Sequence, residues 1–199
     1  MTGKYEQSFV QMFNGLDAMV RSMSNRHHIR ILLNYRRHGL LEVSQRWQEI
    51  LAPDMSVAQP QYQIDVNGQR LLMRGRDEVA GFYDQLSSSG AIVLWPTDQV
   101  IAVADWGFAS ESTFFHFLPG AALLAQGEQI EHPERTYLEK RKVAMVWHYD
   151  QDARMIGEHV YQMPGSRELL LPDPGDVISP TRARELLAPL IDNPPVALQ

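Results

Sequence analysis

Residues 137–149 and 154–163 are both rich in strand-forming side chains, and only Asp150, Gln151, Asp152 and Ala153 separate them. A connection that short joins antiparallel strands; parallel ones need a crossover of a dozen residues or more. The preceding runs, 91–104 (rich in valine and isoleucine) and 108–118 (aromatic, with Thr113), meet at Asp105, Trp106 and Gly107. That is again too little chain for a crossover, and Asp105 reads as a turn former. Four long strands in a row therefore meander. Residues 119–133, between the second and third, exceed a tight turn and contain Ala121, Ala122, Leu123 and Leu124, which suit a helical flap.

Ahead of the meander the apolar period changes from two to between three and four. Phe9, Met12, Phe13, Leu16, Met19, Val20 and Met23 form one stripe along a helix over 5–23. That stripe packs either on its own domain or on a partner subunit. A second helix is predicted over 24–38, capped by Ser24 or Asn25 and ended by Gly39 in a left-handed turn, with Ile31 and Tyr35 on one face. A third, over 41–51, carries Val43, Trp47, Ile50 and Leu51 and closes at Pro53. Extended residues 55–62, an Asn67-Gly68 turn and a short strand at 70–73 follow. A fourth helix over 76–86 places Val79, Phe82, Tyr83 and Leu86 on one side.

Helices first and a meander after give an α+β fold. A strongly bent antiparallel sheet folded over helices encloses a cone with an apolar interior, a natural small-molecule site. Beyond Met163 the chain turns proline-rich, with Pro164, Pro172, Pro174, Pro180, Pro189, Pro194 and Pro195; Ser179 followed by Pro180 marks the start of a short helix to 191. The expected division is an appended amphipathic helix over 1–23, a cone domain over 24–163 and a tail over 164–199.

Composition narrows the chemistry. The chain has 199 residues and no cysteine, so disulfides, thiolate metal sites and cysteine nucleophiles are excluded. A net charge of −6 argues against nucleic acid as a partner, and Arg26, Arg30, Arg36 and Arg37 at helical spacing read as a solvated face. No apolar run approaches the roughly 20 residues that span a bilayer, and the first residues lack the pattern of a signal peptide. A soluble, cytoplasmic protein without a membrane partner is expected. His27 and His28 are adjacent and point to different helix sides, no HExxH spacing or Gly-x-Ser-x-Gly elbow occurs, and Gly75-Arg76-Asp77 is far from a phosphate loop. No metal and no cofactor is therefore expected, and any chemistry falls to tyrosine, histidine and carboxylates.

The order of elements, the sequence Ile50-Leu51-Ala52-Pro53-Asp54, the start Gly75-Arg76-Asp77-Glu78-Val79 followed by Phe82-Tyr83, and the final strand pair together resemble the nuclear transport factor 2-like superfamily. The closer likeness is to its SnoaL-like branch of cyclases, dehydratases and isomerases. The resemblance covers roughly residues 25–163. It implies a cone that is either catalytic or a non-enzymatic binding module, and a homodimer or higher homo-oligomer formed through the open sheet face. It also implies that Tyr35, at the matching distance before Ala52-Pro53, points its hydroxyl into the cone. The dehydratases carry an aspartate five residues later, where this chain has Leu40. One of their strand histidines falls near Trp95 and a later one near His116.

Elimination or isomerisation beside a carbonyl needs a base for a carbon-bound proton and donors for the developing enolate. Tyr35 is a suitable neutral donor. The candidate bases are the strand histidines His116 and His159, or Glu158 if the opposite face of the last hairpin turns inward. With a tight loop His148 faces Met155, which groups Ala144, Val146, His159 and Tyr161 on one side and Met145, Trp147, Ile156 and Glu158 on the other. A slip of one residue exchanges the two. A buried carboxyl on the inner side would have a raised pKa. The expected wall is Trp47, Tyr62, Phe82, Trp95, Phe114, Met145 and Trp147. These readings point to a cofactor-independent lyase or isomerase for a mostly apolar, hydroxylated or carbonyl-bearing molecule such as a steroid, terpenoid or polyketide. A non-catalytic binding or assembly module is the alternative.

Overall fold

The computed structural model describes residues 3–194. Its central helix is longer than the sequence pattern predicts. The Asn25 side chain accepts from the backbone N–H groups of His27 and His28, satisfying two orphan donors at the start of the helix Arg26–Val43. That helix runs straight through Gly39 and ends at Ser44. There Gln45 takes a left-handed φ of 60°, and Gln45 and Arg46 donate back to the carbonyls of Glu42 and Leu41. Gly39 has a different use: a Cβ at that position would lie 2.8 Å from the Phe13 ring. The expected third helix contracts to the 3-10 turn Trp47–Leu51.

Six strands fall on the expected runs, β1 (Ser56–Val66), β2 (Gln69–Arg74), β3 (Leu94–Ala104), β4 (Gly107–Pro119), β5 (Thr136–Tyr149) and β6 (Met155–Gln162), and the tail adds an unanticipated β7 (Glu168–Leu170). Their order is β2-β1-β6-β5-β4-β3, with β7 continuing the β6 side of β5. The sheet is mostly antiparallel, but β1 runs parallel to β6. The two approach closely at Gly157, where a Cβ would meet the Gln61 carbonyl at 1.9 Å. Helix Arg76–Ser88 packs under β1 and β2, and a short helix Gly120–Ala125 fills the loop after β4.

The segment before Ser24 is two helices, Glu6–Val10 and Asn14–Ser22, bent at Gln11–Phe13. Phe9, Met12, Phe13, Leu16 and Val20 are all buried in the core they share with the sheet. The stripe therefore covers the chain's own domain. Ile178, Ala183 and Leu187 bring the tail helix Pro180–Asp192 into the same core, beside the central helix. Ser179 caps it as expected, accepting from the Arg182 N–H. Arg182 also reaches Glu6, so the tail helix clasps the first helix.

Candidate active site

Tyr35, His38 and Glu42 stand at i, i+3 and i+7 on the central helix, and all three face the concave side of the sheet. Opposite them lie Val143, Met145 and Trp147 of β5, Glu158 and Val160 of β6, and Phe114 and His116 of β4. These walls enclose a cavity of about 610 Å³. Met12 and Phe13, at the bend between the two N-terminal helices, also line it.

The floor of the cavity is built around Trp147. Its ring meets His38 at 4.7 Å and Tyr35 at 5.0 Å, stacks on Phe108, and pairs across the strands with Glu158. Glu158 is 7% exposed and makes no hydrogen bond to any described residue, while its carboxyl group lines the cavity. Burial, reinforced by the charge of Glu42, pushes its pKa well above the usual carboxylate range. The Tyr35 hydroxyl accepts from Gln99 Nε2 at 2.6 Å, which leaves its own proton free to be donated. Burial raises the Tyr35 pKa, so the group stays a neutral donor. His38 Nε2 lies 2.8 Å from the Tyr83 hydroxyl and 3.6 Å from Glu42, and Tyr83 in turn lies 3.0 Å from the Tyr62 hydroxyl.

His116 belongs to the other end. Six positions of β5, about 20 Å of extended strand, separate Trp147 from Arg141, and His116 pairs with Glu139 at that far end. Its Nε2 is 2.7 Å from the Ala91 carbonyl, and desolvation with the nearby Arg141 charge lowers its pKa to about 4. Glu139 is fully buried and accepts from both Arg141 and Arg167, and Arg167 also holds Glu128 at 2.7 Å. Burial pushes the Glu139 pKa up, but the two guanidiniums outweigh it and the net shift is downward.

Tyr35 and Glu158 both border Trp147, one by ring contact and the other by strand pairing, and His116 is set apart. His159 is on the opposite face of β6 from Glu158, with its ring 5.1 Å from His148 and 6.3 Å from Tyr161. The hairpin turns the Met145, Trp147 and Glu158 side inward. A register shift between His148 and Tyr149 buries Met155 and exposes Ile156, so Tyr149, and not His148, faces Met155.

Of the expected wall, Phe82, Phe114, Met145 and Trp147 line the cavity. Tyr62 is one layer behind it, and Trp47 stacks on Tyr83 at 5.9 Å. Trp95 lies on the other face of the sheet with Phe115 and Phe117, covered by Tyr5 and Phe9. His38, Glu42 and Tyr83 were not anticipated. The signal for the first two was the Tyr35 stripe itself: His38 stood within the predicted helix, and only Glu42 was hidden by reading Gly39 as its end.

No protein-family model and no curated protein matches the chain. Solved structures do. An NTF2-like protein from Anabaena variabilis superposes with a TM-score of 0.52 at 12% identity, over 73% of this chain and 97% of its own. The hexachlorocyclohexane dehydrochlorinase LinA-type3 from Novosphingobium barchaimii gives 0.48 at 10% identity, over 78% of this chain and 94% of its own. The epoxide hydrolase/cyclase-like enzyme SalBIII, of pyran ring formation in salinomycin, gives 0.45 at 9% identity, over 71% and 93%. The fold is the nuclear transport factor 2-like cone, an assignment that rests on the first of these and on the α+β order of elements.

Proposed function

We propose that the cone is the active site of a cofactor-independent lyase or isomerase acting on a mostly apolar, hydroxylated or carbonyl-bearing small molecule. The observation that carries this reading is Glu158, a buried carboxyl with no hydrogen-bond partner among the described residues, lining the same cavity as the tyrosine donor Tyr35. A carboxyl whose pKa is raised by burial in a cavity is a candidate for proton transfer. Glu158 takes a proton from carbon next to the substrate carbonyl, and the Tyr35 O–H stabilises the enolate oxygen. The proton then returns to a neighbouring carbon, which isomerises the substrate, or leaves with a departing hydroxyl as water, which eliminates it. His38, held between Tyr83 and Glu42, sets the local field around both groups.

Glu158→Gln keeps shape and removes the base. It should lower kcat by about 10²- to 10⁴-fold on any steroid, terpenoid or polyketide ketone or alcohol that the wild type converts. An unchanged kcat removes Glu158 from the mechanism. The reading includes a cytoplasmic setting and a homodimer through the outer sheet face, where His148, His159 and Tyr161 are half-buried; mass in solution tests the dimer.

One observation favours a second reading, a binding or assembly module. Leu40 occupies the place of the dehydratase aspartate and is buried in the core, so Tyr35 has no carboxylate partner on its own helix at that position. Tight ligand binding without turnover across such a panel would select the module.

A further inference from the structure

The floor of the cavity is short of a cation. Glu42 and Glu158 both line it, whereas the one lysine or arginine among the described lining residues, Arg141, stands about 20 Å of strand away and is engaged by Glu139. Glu42 has a single ion-pair contact among the described residues, His38 at 3.6 Å. Glu158 has none and is more than nine-tenths buried. A buried carboxyl left without a partner is costly, and proteins leave such groups where something else completes them. Next to it lies the Trp147 ring, the side chain type that best attracts a cation over its face.

We infer that the ligand of this cavity carries a protonated amine, seated between Glu158, Glu42 and Trp147, with its apolar remainder running along Met145, Val143 and Phe114. The inference rests on the reading of the cone as the small-molecule site and deepens it by naming a charged group on the ligand. An ammonium there supplies the missing counter-charge. It also keeps Glu158 ionised, the form in which a carboxyl acts as a base. The pairing selects against a neutral analogue of the same shape, because an alcohol leaves the two acids uncompensated.

The test uses the full chain and a matched pair, 1-adamantylamine and 1-adamantanol, titrated by calorimetry with tryptophan fluorescence as a second readout. The amine should bind roughly 10- to 100-fold more tightly than the alcohol, the scale of a hydrogen bond to a charged group. Glu158→Gln should abolish that preference while keeping affinity for the alcohol, and Glu42→Gln should narrow it. Circular dichroism checks that each variant is folded, and the wild-type comparison stands without either. Equal affinities in the wild type, or a preference that survives in Glu158→Gln, overturn the inference. Alcohol binding with no preference sinks the amine alone and leaves the acid–base reading standing. Failure of both compounds to bind sinks the amine and the apolar small-molecule site together.

Discussion

Glu139 and Glu158 lie on adjacent strands of one sheet, both turned to the concave side and both buried, yet their surroundings have opposite effects. Arg141 and Arg167 converge on Glu139, and Glu128 anchors Arg167 from behind, so the carboxyl stays ionised and belongs to a closed ion network. Glu158 pairs across the strands with Trp147 and has no cation to offset burial, which the charge of Glu42 reinforces. Desolvation is common to both; counter-charge separates them. The first arrangement stabilises the rim of the cone. The second leaves a carboxyl of raised pKa facing the cavity.

The largest effect should come from breaking the closed network. Glu139→Gln leaves two half-buried to buried guanidiniums without their shared carboxylate and should cost about 3–5 kcal/mol in chemical denaturation. The pKa of Glu139 is lower in the folded state than in the unfolded one. Its contribution is thus present above the unfolded value and lost as pH falls through the folded one, so the wild type and this variant should converge in acid. A variant as stable as wild type at neutral pH would break the contrast.

Next in size is Tyr35→Phe, which should lower kcat roughly 10²-fold with folding intact, the scale for one donor to a developing oxyanion. His116→Asn, at the other end, should cost less. A larger loss for His116 would move the chemistry to the Arg141 end. A smaller effect is expected of Gly39→Ala, whose methyl must displace the Phe13 ring and should cost about 1–3 kcal/mol by overpacking. Thermal unfolding reads it.

The smallest effect is also the sharpest sign test. The pKa of Glu158 is raised in the folded state, so the stability linked to its proton is full below the unfolded value and is lost as pH rises through the folded one. Glu158→Gln escapes that loss. It should be more stable than wild type in alkaline solution, with the gain shrinking as pH falls toward the unfolded carboxyl value. Scanning calorimetry in alkaline and in acid solution checks it. Glu139→Gln and Glu158→Gln should therefore shift neutral-pH stability in opposite directions.

The meander was legible because connections such as Asp105-Trp106-Gly107 leave antiparallel pairing as the only choice. The parallel pairing of β1 with β6 was not, because it joins segments some hundred residues apart, and no local pattern records it. Gly39 misled for a physical reason. Glycine ends helices, but it also admits a neighbouring ring, and the chain used Gln45 for the left-handed position. Splitting the helix there detached Glu42 from Tyr35. On the last hairpin the inner set of Met145, Trp147 and Glu158 was one of two open readings. A bulge then exchanged Ile156 for Met155, a shift that depends on backbone geometry at His148 and Tyr149. Tyr35 was placed by resemblance, whereas the significance of Glu158 depended on who its neighbours are.

The clasp between Arg182 and Glu6 spans 176 positions of chain. During synthesis at 5–20 residues per second, its two halves emerge roughly 9–35 s apart. The helices on either side of Met12 and Phe13 gain this contact only after Arg182 has emerged. The clasp thus closes late, on a segment whose apolar burial against the sheet does not depend on it.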